Sequence, residues 1–396
     1  MEFGIFNSLY TPRQTYADAA DQWAVEHQRL RNEVAWTVAA DRAGFKYTWA
    51  TEHHFLTEYS HLSANECFLP YIAALTERIH VGTGIFNITP PVNHPARIAE
   101  RVAMIDVLSG GRFEFGMGRG SSTTEQQGFG ITDPNDTKRM VDEVLPQFKR
   151  MWAENEFQFD GEFFSMPPRN VLPKPLQDPH PPMWMAAGNP DTFQKAARLG
   201  LGVLCFTTGS ADMLAPLVEV YKKEIEHAEP VGEYVNNNIM VTSQMLCLED
   251  GQKVRDIATN MTSGYQNSLV FHYLDTFPAP PGIPEWPALI PEPGVADLND
   301  RIAAGLVCMG TPDEVMASVK PYADIGADQL VFGMLSTTMP VEIAIEAVET
   351  FGKHVIPEFD TDPVHNTTRQ REAYVAARGP RQSTSLSIAL DDLPAK

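Results

Sequence analysis

Apolar and polar positions along the chain repeat in one recurring unit. A stretch with apolar residues three and four apart ends in a polar or basic turn and a glycine, and a short apolar run follows. The unit appears as Ala40-Asp41-Arg42-Ala43-Gly44 before 45–50, as Ala197-Arg198-Leu199-Gly200 before 201–206, and as Ala323-Asp324-Ile325-Gly326 before 329–332. Looser versions are Thr76-Glu77-Arg78 before 79–86 and Ser109-Gly110-Gly111 before 112–115. Glycine closes a helix because it takes a positive φ at no steric cost. Strands alternating with helices in this way predict βαβ units and a parallel sheet.

The apolar runs predict eight strands, at 2–7, 45–50, 79–86, 112–117, 183–187, 202–206, 238–246 and 329–332. Eight strands in an α/β chain of this length point to a closed TIM-type (β/α)8 barrel; an open doubly wound sheet is the alternative. Two segments break the alternation. Residues 157–169 hold Asp160-Gly161 between aromatic runs and read as an inserted hairpin. Residues 276–294 hold seven prolines beside Phe277, Trp286, Leu289 and Ile290. That much proline forbids a regular helix or a central strand, so the segment is either a lid over a site or a packed surface excursion. The barrel is expected over 1–360. Residues 361–396 lose periodicity and read as a tail, disordered or packing on a neighbouring subunit.

The chain has 396 residues and a formal net charge of −21, which repels phosphate backbones and anionic membrane surfaces and excludes a nucleic-acid role. No stretch is apolar over the ~20 residues of a membrane span, and the N-terminus has no basic segment leading into an apolar one. Cys67, Cys205, Cys247 and Cys308 lie too far apart for a disulfide scaffold or a zinc ribbon. The expectation is a cytoplasmic protein with reduced thiols.

Candidate chemistry sits where the predicted strands end. Glu52-His53-His54-Phe55 follows the second strand, and in a parallel barrel the C-terminal strand ends form the active face. Adjacent residues of a strand point apart, so the two imidazoles share a ligand only if the chain bends there. No further metal-ligand cluster accompanies them, and no metal site is expected. Gly116-Met117-Gly118-Arg119-Gly120-Ser121-Ser122 follows the fourth strand. Its third glycine comes one position early for a dinucleotide fingerprint, and the next helix is expected only from about Asp136. It reads as a tight turn, or as a glycine-rich turn that receives an anion together with Arg119. Gly188-Asn189-Pro190-Asp191-Thr192 follows the fifth strand, with Asn189 suited to an N-cap and Pro190 to the first helical position. A helix starting there turns its positive end to the active face. Gly82-Thr83-Gly84 within the third strand marks a bulge or a close approach to a ligand. His94 is a site residue or a helix-start hydrogen bonder.

Taken in order, Met1-Glu2-Phe3-Gly4-Ile5-Phe6, Glu52-His53-His54-Phe55, Val81-Gly82-Thr83-Gly84, His94-Pro95-Ala96-Arg97, Leu108-Ser109-Gly110-Gly111-Arg112-Phe113, Gly116-Met117-Gly118-Arg119-Gly120 and Gly310-Thr311-Pro312 resemble the bacterial luciferase-like flavin-dependent monooxygenases. The resemblance runs from residue 1 to about 359. It implies a TIM-type barrel with FMN at its C-terminal strand ends. The FMN would arrive reduced from a separate NAD(P)H:flavin reductase and react with dioxygen to a flavin peroxide. It also implies a catalytic role for His53 and cofactor contacts from Glu52, Gly84, Arg119, Gly188, Asn189 and Thr192. Gly84 falls where luciferases have a non-proline cis peptide. Gly118 stands where luciferases carry a reactive cysteine and Gly188 replaces an acidic residue, which points away from light emission and aldehyde specificity.

These readings together predict an oxidoreductase, a two-component FMN-dependent monooxygenase acting on a small apolar organic substrate, with Phe277 and Trp286 in its lid. The resemblance further implies a homodimer through the apolar helices at 65–78 and 95–108. The alternatives are a deazaflavin-dependent dehydrogenase of the same fold and a non-catalytic flavin-binding protein.

Overall fold

The computed structural model describes residues 1–11, 18–56, 59–120, 122–260, 295–333 and 339–379, and the statements below concern these. The elements that position the site are, in chain order, β1 (Glu2–Asn7), α1 (Ala19–Ala43), β2 (Tyr47–Ala50), α2 (Asn65–Leu75), β3 (His80–Thr83), α3 (Pro95–Leu108), β4 (Phe113–Gly118), α4 (Thr123–Gly128), α5 (Asp136–Val144), β5 (Met183–Ala186), α6 (Pro190–Arg198), β6 (Gly202–Thr208), β7 (Ile239–Cys247), β8 (Gln329–Gly333), α7 (Val341–His354) and α8 (Asn366–Arg378). The eight strands pair in parallel around a closed circuit. Gly4 lies opposite Tyr47 on one side and Val331 on the other, and Met240 bridges Leu204 and Gln329. The chain therefore forms the closed barrel that the alternation predicts. The hairpin also forms, as an antiparallel pair of Phe157–Asp160 and Ser165–Arg169.

Strand alternation sorts the core into two parts. Phe3, Ile5, Val81, Phe113, Phe115, Val203, Leu330 and Phe332 face outward and pack with the helices. Phe6, Tyr47, Trp49, Trp184, Leu204, Met240 and Val331 fill the interior. The Trp49 and Trp184 indoles meet edge to face, 5.2 Å between centroids. Glycines on the facing strands make room for both: a Cβ on Gly82 would lie 2.4 Å from Trp49 Cε3, and one on Gly202 2.5 Å from Trp184 Cε3.

Two sequence expectations differ from the structure. The helix after the fourth strand begins at Thr123, well before Asp136; Ser122 caps it, accepting from Thr124 N at 3.1 Å. Ser122 is the N-cap residue type that favours this start, while the Glu125 carboxylate is engaged elsewhere. The second difference is the tail. Its residues up to Gly379 include α8, which seals the N-terminal end of this chain's own barrel. Thr367 Oγ1 donates to Glu114 Oε1 at 2.6 Å, Asn366 N to Glu2 Oε1 at 2.9 Å, and the His365 and His80 rings stack at 3.6 Å. Residues 380–396 lie outside the described residues, as do the expected lid at 276–294 and its Phe277 and Trp286.

Candidate active site

The chain bends sharply after β2. Phe55 takes a φ of 64°, a left-handed conformation rare for a bulky side chain. The bend lets His53 and His54 serve one site through different partners. His53 Nδ1 lies 3.0 Å from Glu125 Oε1, and the same oxygen accepts the His54 backbone N–H at 3.0 Å. His54 Nε2 lies 3.0 Å from Glu52 Oε1. Each imidazole is thus oriented by its own buried carboxylate, while the His53 ring packs on Tyr59, 4.9 Å between centroids.

Glu52 is held on every side by this chain. Asn93 Nδ2 donates to Oε1 at 2.8 Å and the Asn87 backbone N to Oε2 at 3.1 Å. Burial pushes its carboxyl above the usual range, against the pull of the His54, Asn87 and Asn93 hydrogen bonds. This geometry makes Glu52 an orienting group for His54. The sequence reading did not single out Glu125, which α4 carries back over the bend; the capping signature beside it was the available signal.

Arg119 leaves the end of β4, and Gly188 lies just beyond β5. The register Met117↔Met185 sets these two exits side by side. Arg119 Nη1 donates to Thr137 Oγ1 at 3.0 Å, at the start of α5. Lys195 of α6 pairs with Asp142 of α5, so α5 links the two exits. Burial alone lowers the Arg119 pKa, with no carboxylate among the described residues offsetting it. A half-buried cation without a carboxylate partner among the described residues, beside the start of α5, suits an anionic group such as a phosphate.

The start of α6 forms as the sequence predicts. Asn189 Oδ1 accepts from Thr192 N at 3.0 Å, and Thr192 Oγ1 accepts from the Gly188 and Asn189 backbone N–H groups at 3.2 Å each. This capping box occupies those three N–H groups with the Asn189 and Thr192 side-chain oxygens, which leaves the helix dipole as the local attraction for an anion. His94 acts as the cap of α3, its Nδ1 accepting from Ala96 N at 3.2 Å.

Between β3 and the short strand Phe86–Asn87, the Gly84–Ile85 peptide is cis. A Cβ on Gly84 would meet Phe6 Cε2 at 3.2 Å and Phe206 Cζ at 3.4 Å. The rings of Phe6, Tyr10, Tyr59 and Phe206, with Leu56 and Ile85, give this end of the barrel apolar walls.

A parallel barrel with a carboxylate-held imidazole and a half-buried arginine at its C-terminal strand ends has the layout of a barrel enzyme, whose active site lies at that face. The chain belongs to the luciferase-like monooxygenase family, whose profile matches residues 1–329, and is an enzyme of that family. It is 28% identical over 272 residues to the alkanal monooxygenase alpha chain of Photorhabdus luminescens, covering 68% of this chain and 70% of that one. It is 32% identical over 168 residues to the oxygenase component of the flavin-dependent trigonelline monooxygenase of Acinetobacter baylyi, covering 41% and 45%. An F420-dependent glucose-6-phosphate dehydrogenase of Amycolatopsis mediterranei is 27% identical over 312 residues, covering 76% and 88%. Among solved structures, monooxygenase RslO1 from Streptomyces bottropensis superposes with a TM-score of 0.71 at 24% identity, over 91% of this chain and 100% of that one, and shares the fold. No helix among the described residues is long and apolar enough to cross a membrane.

Proposed function

We propose that this protein is the oxygenase component of a two-component, FMN-dependent monooxygenase. It takes reduced FMN from a separate NAD(P)H:flavin reductase and transfers one oxygen atom of dioxygen to a small apolar organic substrate. Reduced FMN bound at the strand ends supplies the two electrons that this reaction needs. The observation that carries the reading is His53, pinned at Nδ1 by Glu125 beside apolar walls. The pairing keeps the Nδ1 proton in place and leaves Nε2 to accept or return a proton. Arg119 and the α6 start receive the cofactor phosphate. The missing side chain at Gly84 lets the Phe6 and Phe206 rings close on the backbone, and these apolar walls keep water from the reacting atoms. Hydroxylation and Baeyer–Villiger insertion both use this arrangement.

The protein acts as a homodimer in the cytoplasm. Tyr71 and Leu75 on α2, with Met104, Val107 and Leu108 on α3, are large apolar side chains that a lone chain leaves exposed on neighbouring helices. Cys247 and Cys308 are buried thiols, and burial pushes both up to about 12, as suits a reducing compartment.

The F420-dependent relative favours a second reading, a deazaflavin-dependent dehydrogenase that needs no dioxygen. Anaerobic titration with reduced FMN and with a reduced deazaflavin separates the two. The first reading expects tight binding of reduced FMN and, with a flavin reductase and NADH, substrate-dependent consumption of dioxygen. Binding of the deazaflavin alone selects the second, and binding of neither sinks both.

A further inference from the structure

Ile85 follows the cis bond, and its side chain lies over Gly118, the last residue of β4. A Cβ on Gly118 would fall 2.7 Å from Ile85 Cδ1 and 2.9 Å from Cγ1, closer than side chains approach. The backbones around this contact are fixed from several directions. Asn87 is paired with Gly118 across the sheet, and Ile88 N donates to Gly118 O at 3.0 Å. Gly84 N donates to Ala50 O at 2.7 Å, and Asn65 Nδ2 donates to Ile85 O at 3.1 Å. Ile85 itself is only partly buried and packs against the interior cluster, whose Trp49 is fully buried. Its side-chain torsions are therefore the one soft coordinate at this spot.

We propose that Gly118 and Ile85 act as one pair that sets the shape of the cofactor pocket. Glycine at 118 is the seat of the Ile85 side chain. Filling that seat turns the side chain away from β4 and into the apolar space by Gly84, Phe6 and Phe206, where the flavin ring is to lie. Any side chain at 118 then requires a smaller residue at 85. This inference rests on the flavin-binding reading above and adds to it the residues that limit the size of the pocket.

The test is a cycle of four proteins, wild type, Gly118→Ala, Ile85→Ala and the double variant, each titrated with FMN by fluorescence quenching and melted without it. Because only a side-chain rotation is forced, Gly118→Ala should melt close to wild type while binding FMN at least tenfold more weakly. Ile85→Ala alone should stay within about fivefold of wild type, and the double variant should return to within about threefold. Wild-type affinity in Gly118→Ala, or a double variant as weak as Gly118→Ala, overturns the pairing while the functional reading stands. A Gly118→Ala protein that melts far below wild type also overturns it, since the pair would then serve packing instead of pocket shape. A wild type that binds no flavin overturns both.

Discussion

His53 and Glu125 stand 72 positions apart in sequence, yet His53 Nδ1 and Glu125 Oε1 lie 3.0 Å apart. One comes from the bend after β2 and the other from the short helix after β4. The carboxylate fixes the ring's orientation and its tautomer, the two properties a proton-transferring imidazole needs. Glu125 also accepts the backbone N–H of His54, so a single side chain engages both histidines of the bend.

Replacing Glu125 by Ala should therefore lower substrate-dependent turnover by about ten- to a hundred-fold, the usual scale for losing an orienting partner. His53→Ala should cost about 10²- to 10⁴-fold. Both variants should keep FMN affinity within a few-fold, read by fluorescence titration. A Glu125→Ala protein with wild-type turnover would remove the pair from the mechanism.

Arg119→Ala removes the half-buried cation between the exits of β4 and β5. A charge-assisted hydrogen bond contributes about 1.5–3 kcal/mol, so FMN affinity should fall about ten- to a hundred-fold. Riboflavin, which lacks the phosphate, should bind wild type and variant alike. Equal losses for the two flavins would mean that Arg119 acts on the ring or on the fold instead.

The sealed end of the barrel predicts how stability depends on pH. Burial pushes Glu114 up to about 8 and pushes His80 and His365 down to about 3 and about 2. Glu114 binds its proton more tightly folded than unfolded, so its contribution falls as pH rises from 4.5 through 8. The histidines bind theirs more tightly unfolded, so their contribution is lost as pH falls from 6.5 through 3. The two histidine slopes outweigh the single carboxyl slope below pH 6.5, and only the carboxyl slope acts above it, so thermal stability should peak near pH 6.5. At neutral pH the protonated Glu114 donates to His80 Nδ1, 2.8 Å away, and accepts from Thr367 and Trp184. Glu114→Gln can reproduce the bond to His80 and should flatten the loss of melting temperature above pH 6.5. Parallel profiles for the two proteins would show that Glu114 is not the group responsible.

On the apolar face of α2 and α3, Leu108 is 60% exposed and Tyr71 57%. Leu108→Asp should shift the sedimenting species from dimer to monomer without changing the far-ultraviolet circular dichroism. An unchanged sedimentation coefficient would place the dimer contact elsewhere or show that wild type is monomeric.

The amino-acid sequence by itself determined the features that depend on near neighbours. Strand positions follow from short apolar runs, the stops of α1 and α6 from Gly44 and Gly200, and the starts of α3 and α6 from His94-Pro95 and Asn189-Pro190. Each is a matter of a few bonds within a turn or a strand, so local residue types suffice. The docking of α8 was hidden for a physical reason. Of its side chains only Thr367 is buried, and its anchors are hydrogen bonds and ion pairs to Glu114, Asn238 and Asp178, so no apolar stripe announces it. The tertiary structure alone decided which carboxylate serves which histidine, that Ile85 rests on Gly118, and that Arg119 bonds Thr137 of α5. Those relations exist only once eight strands close into a ring, because closure sets the stagger between strand ends and thereby which loops meet across the mouth.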